Sequence, residues 1–146
     1  LFNIPFVGWS MWLSGDIPIV RGEKSSIKDA VSRCREYLAR GVPVIIFPEG
    51  TRSETDDLLP FKEGAFRLAI EEGVPILPIA VEGTKTALAK HDWRFDYAKA
   101  RVTVGTPIST DGITDDDIEA LMEETRESIL SLRADLRAHL ANESGE

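Results

Sequence analysis

The stretch that most restricts what this chain can fold into is Val42 to Ser53, VPVIIFPEGTRS. Val44, Ile45, Ile46 and Phe47 are β-branched or aromatic and uninterrupted, the pattern of a strand buried on both faces in a parallel sheet. Pro48 has no N–H to donate and ends the ladder. A short polar loop follows at what should be the carboxyl end of that strand. Its residues suit an anion. Gly50 has no Cβ, so the backbone there can turn tightly and come close to a ligand. Arg52 carries a planar fork of donors that fits two oxygens of a phosphate or carboxylate. Thr51 offers a hydroxyl, and Glu49 an acceptor for a ligand O–H or an arginine. The plainer alternative is a strand-to-helix turn with a surface ion pair.

The flanking sequence repeats a strand–helix alternation. Ile17, Ile19 and Val20 read as a short strand that delivers Arg21 at its end. Ser26 and Asp29 have capping-box spacing. Ile27, Ala30, Val31, Cys34 and Leu38 then recur at helical intervals, and Gly41 supplies the stop. A further helix is expected from Glu63 to Glu72, closing at Gly73, and residues 75–81, PILPIAV, read as another buried strand. Such an order predicts an α/β fold: a mainly parallel central sheet flanked by helices, with right-handed crossovers. Ligands in such sheets bind beyond the carboxyl ends of the strands, where Arg21, the loop 49–52 and the loop 82–85 would lie. Glu82–Gly83–Thr84–Lys85 echoes Glu49–Gly50–Thr51–Arg52, as two similar turns would.

Residues 86–100 read as an irregular exposed segment, Arg101–Val104 as a short strand, and Gly105–Pro107 as a turn. A long C-terminal helix is expected from Thr114, with Asp115–Asp117 favouring its positive end. Ile118, Leu121, Met122, Thr125, Ile129, Leu132, Leu136 and Leu140 mark its apolar stripe. The domain is expected to cover 1–141, with 142–146 a frayed tail. At the other end, residues 1–15 are apolar nearly all round, as in a helix that is buried or lipid-facing. Trp9 and Trp12 have the amphipathic rings suited to a headgroup boundary.

At 146 residues the chain is one domain's worth. A net charge of −8 argues against nucleic acid as a partner. Cys34 is the single cysteine, so no disulfide framework or cysteine metal cluster is expected. No ligand cluster supports a metal or redox cofactor, and no G-x-G-x-x-G or Walker loop points to a nucleotide. No uninterrupted apolar run reaches the roughly 20 residues of a membrane span. The chain opens at Leu1 without an initiator methionine, which predicts a fragment whose upstream part is missing.

FPEGTRS at 47–53 resembles the third signature block of the glycerolipid acyltransferases, the family that includes lysophosphatidic acid acyltransferase. Gly15–Asp16–Ile17–Pro18–Ile19–Val20–Arg21 resembles the block before it. Phe61–Lys62–Glu63–Gly64–Ala65–Phe66 resembles the segment after it, and Val74–Pro75–Ile76–Leu77–Pro78 the fourth block. The resemblance runs from residue 1 to about 110, in order.

It implies transfer of a fatty acyl group from coenzyme A or acyl carrier protein to lysophosphatidic acid, at a membrane surface on the cytoplasmic face. It needs no cofactor beyond the thioester co-substrate. Arg21, Glu49, Gly50, Thr51, Arg52 and Lys62 are the implied acceptor-binding residues. Val74–Pro78 and residues 1–15 are candidates for an acyl groove, with core packing as the alternative.

The family's base is a histidine oriented by an aspartate five positions later, in a block upstream of the part resembling residues 1–21. His91 and Asp96 have that spacing but follow the fourth block, and they are not assigned as the catalytic pair. His139 sits late in the terminal helix, where a cation suits the dipole. The expectation is therefore a substrate-holding remainder with no catalytic residue in the chain, inactive alone. Glycerol 3-phosphate or another lysophospholipid is an alternative acceptor, and a non-catalytic anion- or lipid-binding domain an alternative class.

Overall fold

The computed structural model describes residues 6–20, 22–51, 53, 55, 57–84, 87 and 97–144. The chain divides into two units, Leu1–Ile46 and Phe47–Glu146. The first holds α1 (Val7–Leu13) and α2 (Lys24–Ala39). In α1, Phe6, Trp9, Trp12 and Leu13 are exposed, and Phe6 meets Trp9 edge-on at 5.4 Å between ring centroids. In α2, the expected stripe is partly realised: Ala30 and Cys34 are buried, whereas Ile27 is exposed. Burial pushes the Cys34 thiol above its ordinary range, so it stays protonated and inert.

The two ends of α2 differ in how well the sequence announces them. Gly41 adopts the left-handed conformation, φ 71°. Its N–H donates to Leu38 O and that of Val42 to Tyr37 O, which satisfies two of the last carbonyls. At the other end the helix starts a little ahead of the capping box expected from Ser26 and Asp29. The Ser26 hydroxyl instead accepts the Val20 N–H at 2.8 Å, tying the approach to position 21 back onto the helix.

The second unit contains α3 (Gly64–Glu72), β1 (Ile79–Glu82), β2 (Arg101–Val104) and α4 (Ile118–Ser144). α3 closes at Gly73, φ 59°, as its sequence predicts. β1 and β2 pair antiparallel, Ile79 opposite Val104 and Glu82 opposite Arg101. An isolated antiparallel bridge joins Ile76 to Ile108. α4 packs against both strands and α3. Phe66, Ile118 and Leu121 form the centre of the core, with Phe61, Ile76, Ile108 and Met122 packed around them.

The expected mainly parallel sheet is corrected by these pairings: among the described residues the sheet has two strands, and they run antiparallel. Residues 17–20 and 42–47 belong to neither helix nor strand. Far from being buried on both faces, Ile45 is 75% exposed and Phe47 77%. A ladder is an agreement between two segments. An apolar β-branched run states a preference for one, and these two runs meet no ladder partner among the described residues. Residues 75–81 are likewise not buried throughout. Pro78 and Ala80 point inward while Leu77, Ile79 and Val81 are exposed, the alternation of a sheet with one covered face.

At Thr114, the expected start of the long helix, a single 3-10 turn, Asp115–Asp117, begins and leads directly into α4. The Thr114 N–H donates to Asp117 Oδ2 at 3.0 Å and its hydroxyl to the same oxygen at 2.7 Å. The hydroxyl first, then the amide, holds the Asp117 carboxyl below its ordinary range. A carboxyl depressed in the folded state supports folding above its unfolded pKa and loses that support as pH falls through its folded value. Titration of the Asp117 carboxyl followed by NMR should give a midpoint below 3.8, and Asp117→Asn should remove the acid-side loss at this helix end. A midpoint at or above 3.8 would show that the cap does not hold in solution.

Candidate acceptor-binding loop

Pro48 interrupts the apolar run, and the chain then leaves on a surface loop that returns at Lys62. The Lys62 N–H donates to Pro48 O at 2.9 Å, joining the two ends as in a compact Ω-type loop. Inside that closure, the Gly50 N–H donates to Phe47 O at 3.0 Å. Gly50 has φ 68°, a conformation that side-chain-bearing residues avoid. A second constraint coincides with it: a Cβ built on Gly50 would lie 2.7 Å from Lys62 Nζ. The Lys62 ammonium thus lies directly over the loop backbone, and since a lysine end can give way, the left-handed φ is the firmer reason for a glycine here.

Glu49 has a structural task. Its Oε2 accepts the Leu59 N–H at 2.7 Å, so one oxygen of the carboxylate is committed to the loop's returning limb. Thr51 is exposed beside Gly50. At the tip, the Thr55 N–H donates to Ser53 Oγ at 3.2 Å and the Asp57 N–H to Thr55 Oγ1 at 3.3 Å. Such hydroxyl-to-backbone turns satisfy loop amides locally. Among the described residues the rim carries the Lys62 ammonium and the exposed Thr51, in a chain whose net charge is −8.

Of the six expected site residues, Glu49, Gly50, Thr51 and Lys62 lie on this loop, and Gly50 and Lys62 are brought into contact. Arg21 and Arg52 lie outside the described residues, as do Lys85, His91 and Asp96. The chain just before position 21 borders a groove of about 290 Å³ within the first unit, lined by Pro18, Val20, Glu23, Ser26, Asp29 and Arg33. Leu59 was missed by sequence reasoning because it acts through its backbone. Pro60 is the one local signal, since the residue before a proline is held extended.

The Glu82–Gly83 turn shows why the two E-G-T strings look alike. Gly83 is also left-handed, φ 82°, and a Cβ there would collide with the Lys99 carbonyl. Glu82 is also turned inward, onto Arg133 and Arg137 of α4. In both strings the glycine makes the turn and the preceding carboxylate secures it. Among the described residues no group of three His, Cys, Asp or Glu could hold a metal. No helix among them is long and apolar enough to cross a membrane.

The proline-ended apolar run, the glycine-turned loop and Lys62 all lie within the part of the chain that matches one family. Residues 1–82 match the acyltransferase family model, and the chain is a member of that family, of the PlsC-like kind. It is 38% identical over 128 residues to the human 1-acyl-sn-glycerol-3-phosphate acyltransferase alpha, covering 86% of this chain and 44% of that protein. The Saccharomyces cerevisiae 1-acyl-sn-glycerol-3-phosphate acyltransferase is 35% identical, over 87% of this chain and 43% of its own length. Among solved structures, the PlsC 1-acyl-sn-glycerophosphate acyltransferase of Thermotoga maritima superposes with a TM-score of 0.71 at 29% identity. That likeness covers 92% of this chain and 54% of the Thermotoga chain. The chain thus spans about half the length of the relatives it matches.

Proposed function

We propose that this chain is the acceptor-holding part of an enzyme that acylates lysophosphatidic acid. In the reaction, the acceptor's hydroxyl oxygen bonds to the carbonyl carbon of an acyl thioester on coenzyme A or acyl carrier protein. The C–S bond breaks, and the hydroxyl proton leaves by way of a base to the departing thiolate. The 48–62 loop holds the acceptor's phosphate: the Lys62 ammonium and the Arg52 guanidinium contribute charge, Thr51 a hydroxyl, and Arg21 the second guanidinium. Charge-assisted hydrogen bonds of this kind are worth about 1.5–3 kcal/mol each.

The observation that carries this reading is the placing of Lys62 Nζ over Gly50, which sets a cation at the head of the signature loop. The names of the relatives support the acceptor's identity. The exposed Phe6, Trp9, Trp12 and Leu13 support work at a membrane surface; that this is the cytoplasmic face is part of the proposal. The base, a histidine with its aspartate, is supplied from outside these residues, and His91 and Asp96 do not replace it.

Titration calorimetry with 1-acyl-sn-glycerol 3-phosphate, set beside monoacylglycerol and sn-glycerol 3-phosphate, tests the proposal. The phosphorylated lipid should bind and monoacylglycerol should not. Arg52→Ala and Arg21→Ala should each weaken binding about tenfold to a hundredfold. Equal binding of monoacylglycerol, or wild-type affinity in both variants, would sink the reading. Stronger binding of sn-glycerol 3-phosphate than of its acylated form would move the acceptor to the unacylated compound. With acyl-coenzyme A added, the chain should not turn over, and turnover abolished by His91→Ala would reverse the assignment of His91.

A further inference from the structure

The family match ends at residue 82, yet the signature loop is fastened from well beyond it. Arg126, on α4, donates from Nη1 to the Leu59 carbonyl and from Nη2 to the Leu58 carbonyl, both at 3.2 Å. Leu58, Leu59 and Pro60 belong to neither helix nor strand, so their backbone acceptors need partners from side chains or water. A guanidinium fork presents two N–H groups in a fixed plane and can serve two successive carbonyls at once, a geometry an ammonium does not preset. The same guanidinium stands 5.8 Å from the centroid of the Phe61 ring. That ring in turn stacks on the core residue Phe66, with centroids 6.0 Å apart and planes 19° from parallel.

Leu59 is therefore gripped from two sides. Its carbonyl is held by Arg126 of α4, and its N–H by Glu49 at the head of the signature loop. The path from helix to signature is two hydrogen bonds long, and it ends on the residue next to Gly50. We propose that Arg126 is a positioning residue that sets the conformation of the 48–62 loop from α4, through Leu58, Leu59 and the Glu49 carboxylate. That the loop so positioned is the acceptor-phosphate site rests on the function proposed above. Arg126 itself touches no ligand. It keeps the Glu49–Thr51 backbone and Lys62 in one arrangement, so that the loop is not left to sample many.

Amide hydrogen exchange on the ligand-free chain separates the two claims. In Arg126→Met, which keeps the apolar stem beside Phe61, exchange of the Leu59 and Lys62 amides should rise about tenfold or more. Amides in the middle of α3 and α4 should keep their wild-type rates. Arg126→Lys, able to reach one carbonyl, should fall between and guards against a Met variant that fails to fold. The dissociation constant for 1-acyl-sn-glycerol 3-phosphate should rise by about the same factor, with Lys again intermediate.

Unchanged exchange at Leu59 in both variants would overturn the proposal. So would an equal rise across α3 and α4, because Arg126 would then support the whole unit and not the loop. If the wild-type chain binds no phosphorylated lipid, the functional reading falls. The exchange rates then decide the anchoring by themselves.

Discussion

Alanine in place of Phe66 is expected to cost the Phe47–Glu146 unit about 3–5 kcal/mol. Phe66 is 2% exposed and sits with Ile118 and with Leu121, itself 2% exposed, at the centre of the core. It comes from α3, the other two from α4, and Phe61 stacks against it from the loop. Three chain segments therefore converge on one ring. Removing it takes away apolar burial and leaves a cavity that two helices and a loop cannot readily close. A domain of this size has about 5–15 kcal/mol in all, so the loss is a large share of its stability. Urea denaturation followed by far-UV circular dichroism reads it as a fall in the midpoint with the slope preserved. A change under about 1 kcal/mol would mean that the core collapses around the gap and that the packing described here is loose. Because Phe61 loses its stacking partner, the loop amides should also exchange faster in this variant.

Glu82→Gln is expected to cost about 3 kcal/mol, from charge instead of volume. Glu82 ends β1 with its side chain 14% exposed, and Arg133 of α4, 15% exposed, shares its Oε1 with Arg137 at 3.1 Å. The residue opposite in the ladder is Arg101. The amide variant keeps the shape but removes the carboxylate charge that Arg133 meets at this largely buried position. Removing one partner of a largely buried ion pair costs more than the net worth of the intact pair. Arg137 is half exposed and keeps water around it, so Arg137→Met should cost under about 1 kcal/mol. A double-mutant cycle of Glu82→Gln with Arg133→Met isolates the coupling. Stability of Glu82→Gln within about 0.5 kcal/mol of wild type would show that the pair behaves as a surface contact.

Much of the local structure was legible before any coordinates. Gly41 and Gly73 announced the ends of α2 and α3, because helix termini are settled by neighbouring residues and a single left-handed position. The short strand Arg101–Val104 and the helix starting near Thr114 follow from equally local signals. In the signature, Gly50 was legible as a tight turn, and its φ of 68° bears that out. Lys62 was named as a helper, but its contact with Gly50 across the loop was not foreseeable from spacing alone.

The described residues do not form the mainly parallel sheet that the sequence suggests, for a physical reason. Apolar, β-branched runs at 17–20, 42–47 and 75–81 look alike in sequence, yet pairing depends on a second segment that no single run specifies. The observed ladder joins β1 to β2, two segments that are not adjacent in the sequence. Glu49 reads in sequence as an acceptor for a ligand O–H or an arginine, and the structure adds a bond that reading does not name, from the Leu59 N–H to its Oε2. A carboxylate's partner is set by which backbone the fold brings near it, and that backbone carries no side-chain signature.

The sequence by itself determined the family, the helices with their stops, and the loop on which recognition of an anion would rest, since each depends on residues within a few positions of one another. The tertiary structure alone decided which strands pair, that Glu82 is secured by α4, and that Arg126 reaches back to Leu58 and Leu59. Those contacts join residues far apart in the chain, and only the packed core around Phe66 and Leu121 brings them within hydrogen-bonding distance.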